Sequence, residues 1–449
     1  MPPTNLHTVT IEKLVPGGLG LGRLTGGMVI LLPYVLPGER VVVREVIRKK
    51  DFVSAALQQI LTPSPDRITP PCPYYGRCGG CDLQHAKYNA QILLKKEILA
   101  ESLQRAAGEI LSDPEISIQP ALASPEEFGY RQRIRLQVDE KGQYGFFRPG
   151  SHVVEAVSKC LLAGNSLNTV LQQLQSSDSF TGLVKHTTAF ELLFNPDSND
   201  TVMLLHFRRK PRPGDSSLAT DLVNDTIELS TILMQVEGYG LYDPRDQSFV
   251  SRPPHLSQTI SIGNLQKDIL LTWETGGFCQ VNPGQNNNLI NLVLGMIKTG
   301  PHGRVLDLYC GYGNFSLPVA QLAGKVVGID SQNAAIRSAK RNVMLNRTRN
   351  CHFEKKPVEK GVNDLIDAGE TFDTIILDPP RQGAADIVAK LPDLGAGQII
   401  YISCNPATLA RDLAILCARD YKLSYLAPVD MFPHTHHMEC VAQLKRTAQ

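Results

Sequence analysis

The chain has no long apolar run and little sign of a leader. None of its apolar runs approaches the ~18 residues that a membrane span requires. The opening stretch, MPPTNLHTVTIEKL, has neither a basic nor an apolar leader region, so no secretion signal is read there and a cytoplasmic location is expected. Charge of one sign is missing as well: the formal net charge is +1. That excludes the strongly basic and strongly acidic classes and leaves local patches to decide about nucleic acid. Internal repeats and long low-complexity tracts are absent. What is there, over 449 residues, is 42% hydrophobic and 20% charged, enough apolar material for several packed cores. Ten cysteines in such a chain point to metal-binding or catalytic thiols before disulfides.

Residues 1–64 read as a small OB-like barrel. HTVTIEKLV, MVILLPYVL, RVVVREVI and DFVSAALQQIL are strand-like runs parted by the turns PGGLGLGRLTGG and PGE. Barrels of this size often bind oligonucleotides, although a barrel used only for packing fits the pattern nearly as well. Residues 65–275 read as a central mixed α+β domain, with strand runs such as AFELLFN and TVMLLHF. The linker TPSPDRITPP opens it, and an amphipathic helix over 87–107 is expected to pack on the catalytic domain. From 276 to 449, apolar strands alternate with helical stretches, as in a Rossmann-like doubly wound α/β fold.

RVLDLYCGYGNFSLPVA reads as strand, glycine-containing turn and helix. Gly311 and Gly313 let the backbone approach a ligand at the strand's carboxyl end. By itself the pair is a weak sign, since tight strand–helix turns also need glycine. The next strand, KVVGID, ends about twenty residues on in Asp330, placed to accept from a ribose diol. Ser316 occupies the third glycine position of the dinucleotide fingerprint. A nucleoside without a pyrophosphate therefore fits better, which favours S-adenosylmethionine over NAD.

Two more strand ends face the same crevice. FDTIILDPPRQG ends at Asp378, followed by two prolines that force an extended loop. QIIYIS ends at Cys404, followed by Asn405 and by Pro406, where a helix can begin. Near the far end, Glu439 follows His434, His436 and His437. Uracil C5 is too weak a nucleophile to take a methyl group directly. A thiolate added at C6 turns C5 into an enolate-like carbon, and a base must later remove the C5 proton. Cys404 fits the nucleophile and Glu439 the base. Taken singly, Cys404 would be a small buried hydrophobe, Asp378 a loop cap, and the histidines solvated or stacking groups.

CPYYGRCGGCDLQH spaces Cys72, Cys78 and Cys81 as C-x5-C-x2-C, and Cys160 is the best fourth ligand. Four thiolates suit a 4Fe–4S cluster or a structural zinc; the single short knuckle favours iron–sulfur. The spacing differs from that of radical methylating enzymes, so the cluster reads as structural or as part of an RNA surface. YRQRIR puts Arg131, Arg133 and Arg135 on one strand face, where a phosphate stripe and a solvated face are equally good readings. HFRRKPRPG adds a weaker basic run.

FCQVN, LDLYCGYGNF, ILDPPRQG, YISCNPATLARD and FPHTHHMEC resemble the RNA (uracil-5-)-methyltransferase family, over nearly the whole chain. The resemblance implies Cys404 as nucleophile and Glu439 as base. It places Gln280, Tyr309, Asn314, Asp330 and Asp378 at contacts with S-adenosyl-L-methionine or the target uracil. It also implies an iron–sulfur cluster on the four cysteines and a TRAM-like barrel for RNA. Barrel and cysteines together look more like the 23S ribosomal RNA branch than the bacterial transfer-RNA branch. The expected partner is therefore 23S ribosomal RNA, with transfer RNA as the alternative; neither a membrane nor an obligate protein partner is expected. Three positions depart from the family pattern. Asp330 stands where Glu is common, Phe278–Cys279 replaces Phe-Phe or Phe-Ile, and Pro357 stands where Asp or Asn is usual. A cytosine C5 enzyme would want a second cysteine near Arg381, and a non-catalytic RNA binder would need neither Cys404 nor Glu439.

Overall fold

Glycine and proline divide the first sixty or so residues into short β-branched runs, and these close on themselves. In the computed structural model, residues 6–111, 117–263 and 267–447 are described. β1 (Leu6–Val15), β2 (Leu19–Arg23), β3 (Val29–Leu32), β4 (Arg40–Arg48) and β5 (Phe52–Thr62) form a closed barrel in the order β1-β2-β3-β5-β4, with β4 returning to β1. Val9, Ile30, Leu32, Val41, Val43 and Val53 fill it. β2 lies in LGLGR, a stretch read above as turn. A Cβ at Gly20 would stand 2.2 Å from Val35 Cγ2, so this glycine serves close packing across the barrel and not chain reversal.

α1 (Tyr88–Leu111) lies early in the chain but packs late. Its Leu94, Ile98, Leu99 and Leu103 share one core with Leu306, Ile375, Ile399, Leu409 and Leu413, far later in the chain. Within that contact Lys95 is buried, its Nζ donating to Asp430 Oδ1 (2.5 Å) and to the Phe432 carbonyl (3.0 Å).

The central sheet has the order β13-β12-β11-β10-β9-β6-β7-β8. Its strands are β6 (Arg133–Val138), β7 (Tyr144–Phe147), β8 (Val154–Ala156), β9 (Thr187–Asn195), β10 (Asp200–Phe207), β11 (Leu229–Val236), β12 (Gly240–Asp243) and β13 (Ser248–Val250). Leu167 and Leu171 of α2 (Asn165–Leu174), Phe180 of α3 (Asp178–Val184) and Leu222 of α4 (Pro213–Asp225) cover it. A hairpin follows, β14 (His255–Ile262) and β15 (Lys267–Glu274). Its Ile260, Leu271 and Trp273 pack with Leu193 and Leu204 on one side and with Val305 and Ile336 on the other. The core is therefore continuous across residues 275 and 276, where the rhythm of the sequence changes.

The last sheet comprises β16 (Arg304–Leu308), β17 (Lys325–Asp330), β18 (Cys351–Lys355), β19 (Thr374–Leu377), β20 (Gln398–Ser403), β21 (Tyr421–Val429) and β22 (Glu439–Arg446). The order is β18-β17-β16-β19-β20-β22-β21, parallel except for β22, which runs against both neighbours. Flanking it are α5 (Pro283–Met296), α6 (Ser316–Val319), α7 (Asn333–Leu345), α8 (Val358–Asp367), α9 (Ala385–Val388) and α10 (Pro406–Cys417). This is a Rossmann-like sheet whose order reverses between β16 and β19, and a ligand crevice opens outside the strands' carboxyl ends at such a switch point. Among the described residues no helix is long and apolar enough to cross a membrane.

Candidate active site

The ladders bring four strand ends level. Ile329, Leu308, Leu377 and Tyr401 are register neighbours across β17, β16, β19 and β20. Asp330, Tyr309 and Asp378 come directly after the first three, and Cys404 lies just past the end of β20. All four line one cavity of about 770 Å3. On the other side of β20, Ser403 pairs with Cys440 of β22, so the next register step sets Cys404 opposite Glu439.

One end of the cavity is built for a nucleoside. Asp330 accepts from the backbone N–H of Gly311 (3.0 Å) through one oxygen and of Gln332 (2.7 Å) through the other, which fixes the carboxylate and leaves each oxygen a free lone pair. Tyr309, at φ 63°, bends the chain back after β16. Gly313 has to be glycine: at φ 89° a Cβ would stand 2.3 Å from Leu317 Cδ1 and 3.0 Å from Phe353 Cζ. Ser316 donates to the buried Asp307, and burial pushes that carboxyl up to about 7. The residue in the third glycine position thus has a structural task of its own. Asn314 is partly committed, exchanging amide hydrogen bonds of 2.9 Å with Asn286. Gln280 also lines the cavity. Its carbonyl accepts from Gln132 Nε2 (2.6 Å), so the loop before β6 braces it.

The other end is acidic. Burial pushes the Cys404 thiol up to about 11; Glu439 and Asp378 push the same way, and Arg381 opposes them. Glu439 is held well above the ordinary carboxylate range, first by burial and then by Asp378, again against Arg381. Its Oε2 has no hydrogen-bond partner among the described residues. Burial lifts Asp378 to about 7. His437 is driven down to about 4, by burial first and then by His436 and Arg381, so its ring is neutral near pH 7.

The Asn405 to Asp412 stretch clamps this wall. Asn405 caps α10 by accepting from Ala407 N (3.1 Å), while its Nδ2 donates to the Arg381 carbonyl (3.1 Å). Arg411 donates to the Gln382 carbonyl (3.0 Å), and Asp412 accepts from Ala384 N (2.7 Å) and the Tyr401 hydroxyl (2.6 Å). One helix start thereby fixes both the strand bearing Cys404 and the loop after Asp378.

With that geometry in place the comparisons are informative. The family described as tRNA (Uracil-5-)-methyltransferase matches residues 88–447. The chain belongs to this family. It is an enzyme of the RNA (uracil-5-)-methyltransferase class. It is 33% identical to the 23S rRNA (uracil(1939)-C(5))-methyltransferase RlmD of Vibrio parahaemolyticus, over 99% of this chain and 97% of that protein. The RlmD of Pseudomonas fluorescens is also 33% identical, over 98% of this chain and 92% of its own length. Among solved structures, the Pyrococcus abyssi tRNA (uracil-54, C5)-methyltransferase in complex with S-adenosyl-L-homocysteine superposes with a TM-score of 0.71 at 25% identity, covering 97% of this chain and 100% of that one.

Of the other residues expected from the sequence, Arg131 also lines the cavity, whereas Cys72, Cys78, Cys81, Cys160, Arg133 and Arg135 lie outside it. The loop bearing Cys72, Cys78 and Cys81 meets Cys160. Burial raises the thiols of Cys78 and Cys81, and the neighbouring cysteines add to the effect. Arg131 lies beside Cys81 and Cys160 and pulls both down. It precedes β6 and is not on a free phosphate stripe. Arg133 is bound to the buried Glu191 (2.7 Å) and to the Gly277 carbonyl (2.7 Å), and Arg135 lies 3.7 Å from Glu191. In the second basic run, Arg209 is held by both oxygens of Asp215 (2.7 and 2.9 Å). The expected stripe is therefore largely neutralised. The histidine run also differs from a solvated one: His434 is buried and stacks on Phe128 with ring centroids 4.0 Å apart. Phe278, Arg381, Phe432 and His437 line the cavity beyond the residues picked out above. Period-2 alternation back from Glu439 would have found His437.

Proposed function

We propose that this enzyme methylates C5 of a uridine in 23S ribosomal RNA, with S-adenosyl-L-methionine as donor. The observation that carries the reading is the β20–β22 register, which puts Cys404 and Glu439 at facing strand ends of a cavity that runs on to Asp330. Bound there, S-adenosyl-L-methionine supplies an electrophilic methyl sulfonium. Asp330 is suited to its ribose diol, and Gln280, Tyr309, Gly311, Asn314 and Asp378 shape the space between donor and base. Cys404 adds to C6 as the thiolate, favoured by Arg381, and C5 takes the methyl group. Glu439 then removes the C5 proton; that electron pair restores the C5–C6 double bond and expels the thiolate. The uridine has exchanged one proton for one methyl. Phe278, 62% exposed at the cavity wall, offers a face on which an unstacked base can lie.

Cys72, Cys78, Cys81 and Cys160 are the residues that would hold a 4Fe–4S cluster. Their chemistry fits, being four soft thiols within electrostatic reach of one another with Arg131 as a nearby counter-charge. Among the described residues no group of three or more His, Cys, Asp or Glu is arranged to hold a metal ion, so the four thiols would have to draw together to do so. Such a cluster would tie two distant loops together. Metal analysis of protein purified without oxygen distinguishes iron from zinc.

The test is incubation of the purified protein with labelled donor and unmodified ribosomal and transfer RNA. 5-Methyluridine in 23S RNA is the expected product. The full-length likeness to the Pyrococcus transfer-RNA enzyme makes transfer RNA the second substrate to try. Cys404→Ala should abolish product while still binding the donor. Glu439→Gln should leave methylated RNA covalently attached to Cys404, and 5-fluorouridine RNA should do the same with the unaltered enzyme. Free release of product from Glu439→Gln would mean that another base acts.

A further inference from the structure

Three stretches of chain far apart in sequence meet behind the reaction cavity. The first is the loop between β21 and β22 that carries His434, His436 and His437 into Glu439. The second is the end of the cysteine loop, where Asp82 follows Cys81. The third is the turn between β1 and β2 of the barrel. The backbone N–H groups of Asp82 and Leu83 donate to the His434 carbonyl at 3.2 and 3.0 Å. Asp82 Oδ1 accepts from the backbone N–H of His436 at 2.7 Å, and Oδ2 pairs with Nδ1 of the same ring. The His436 ring lies on the His437 ring, with centroids 4.0 Å apart, and His437 lines the cavity with Cys404, Glu439 and Arg381. Gly18, at φ 71°, presses on the pair from outside: a Cβ there would stand 2.9 Å from His436 Cβ and 3.4 Å from Asp82 Cγ.

His434 has an anchor of its own, because Gln91 of α1 accepts from its backbone N–H (2.9 Å) and contacts its ring (3.1 Å). Asp82 meets the two residues that come next towards Glu439, His436 directly and His437 through it. A double contact to one carboxylate fixes backbone and ring together, and a fixed ring constrains the neighbour that lies against it, here tilted by 42°.

We propose that Asp82 is a positioning residue for methyl transfer: by holding His436 it sets the His437 ring and the approach of Glu439 at the cavity wall. The inference rests on the reaction proposed above. It makes the fold of the cysteine loop a condition of turnover and leaves donor binding, at the Asp330 end of the cavity, independent of it.

The test uses the full-length protein as Asp82→Ala, Asp82→Asn and Gly18→Ala. Displacement of a catalytic wall by about an ångström costs on the order of 100-fold in rate, so kcat of Asp82→Ala should fall by about that factor. KM for the donor, iron content and melting temperature should stay as in the unaltered protein. Because proton removal is the step that suffers, Asp82→Ala should accumulate the methylated Cys404–RNA adduct on ordinary RNA, seen as a shifted band on denaturing gels. Asp82→Asn keeps an acceptor for the His436 amide and should lose less. Gly18→Ala pushes a methyl group onto the same pair from the barrel and should accumulate the same adduct. Turnover of Asp82→Ala within about twofold of the unaltered enzyme overturns the positioning role. So does a loss that tracks a fall in melting temperature, iron content or donor binding and brings no adduct. An unaltered enzyme that makes no methylated uridine overturns the reaction itself, which is a different failure.

Discussion

At the scale of single residues, the cavity disfavours the reactive thiolate. Cys404 sits among carboxyl groups, and its thiol is pushed up to about 11 by burial, then by Glu439 and Asp378. A thiol so raised is protonated at neutral pH, so its alkylation by iodoacetamide should rise about tenfold per pH unit towards that value. Peptide mass spectrometry at Cys404 measures this directly. Glu439→Gln removes a neighbour that raises the thiol, so the midpoint should move down. A midpoint near the ordinary ~8.5 in the unaltered protein would show the site to be wetter than its burial implies. The strand-tip placement of Cys404 was legible because an apolar run of β-branched and aromatic residues, then Asn-Pro, marks a strand end and a helix start within a few residues. The partners of the arginines were not legible, for the opposite reason. Arg133 is answered by Glu191, 58 residues away on a neighbouring strand, and local alternation says nothing about a partner at that range.

Among the elements, α1 packs where its amphipathic pattern led one to expect, on the C-terminal sheet, but its individual partners were not legible. Its apolar face announces a packed helix, yet its partners include Asp430, 335 residues on. Lys95 is fully buried there, and its charge is tolerable because Asp430 and the Phe432 carbonyl receive it. Lys95→Met leaves Asp430 as an unpaired buried carboxylate and should cost about 3–5 kcal/mol in urea unfolding. Adding Asp430→Asn should recover most of that loss; if the two losses simply add, the pair is not what binds α1 to the sheet. β2 was missed because LGLGR looks like punctuation, and only the closed barrel shows that Gly20 is there to let Val35 in. The Rossmann strands were plain, since buried parallel strands are short continuous apolar runs.

For the whole molecule, the cores are distributed unequally. The barrel has a small interior of its own around Ile30, Val41 and Val53 and lends Leu14 and Leu36 to a larger core, which α1 shares with β20, β22 and α10. Hydrogen exchange followed by mass spectrometry should therefore show β1–β5 opening before the rest, and α1 peptides staying protected as long as those of β20. Release of α1 together with the barrel would refute that division. A pattern of runs and turns reveals how many layers a chain builds. It cannot reveal that the hairpin β14–β15 serves the cores on both sides of it, because that depends on which faces meet.

The place of β22 gives the protein a timetable. It is the last strand to be synthesised among the described elements, yet it lies inside the sheet, between β20 and β21, and it brings Glu439 with it. Domains fold broadly in the order in which they leave the ribosome, so the barrel can form while the last sheet still has a gap. α1 waits through that interval with its apolar face uncovered. The wall opposite Cys404 arrives at the end, so a nascent chain can carry the barrel and still lack Glu439 beside Cys404.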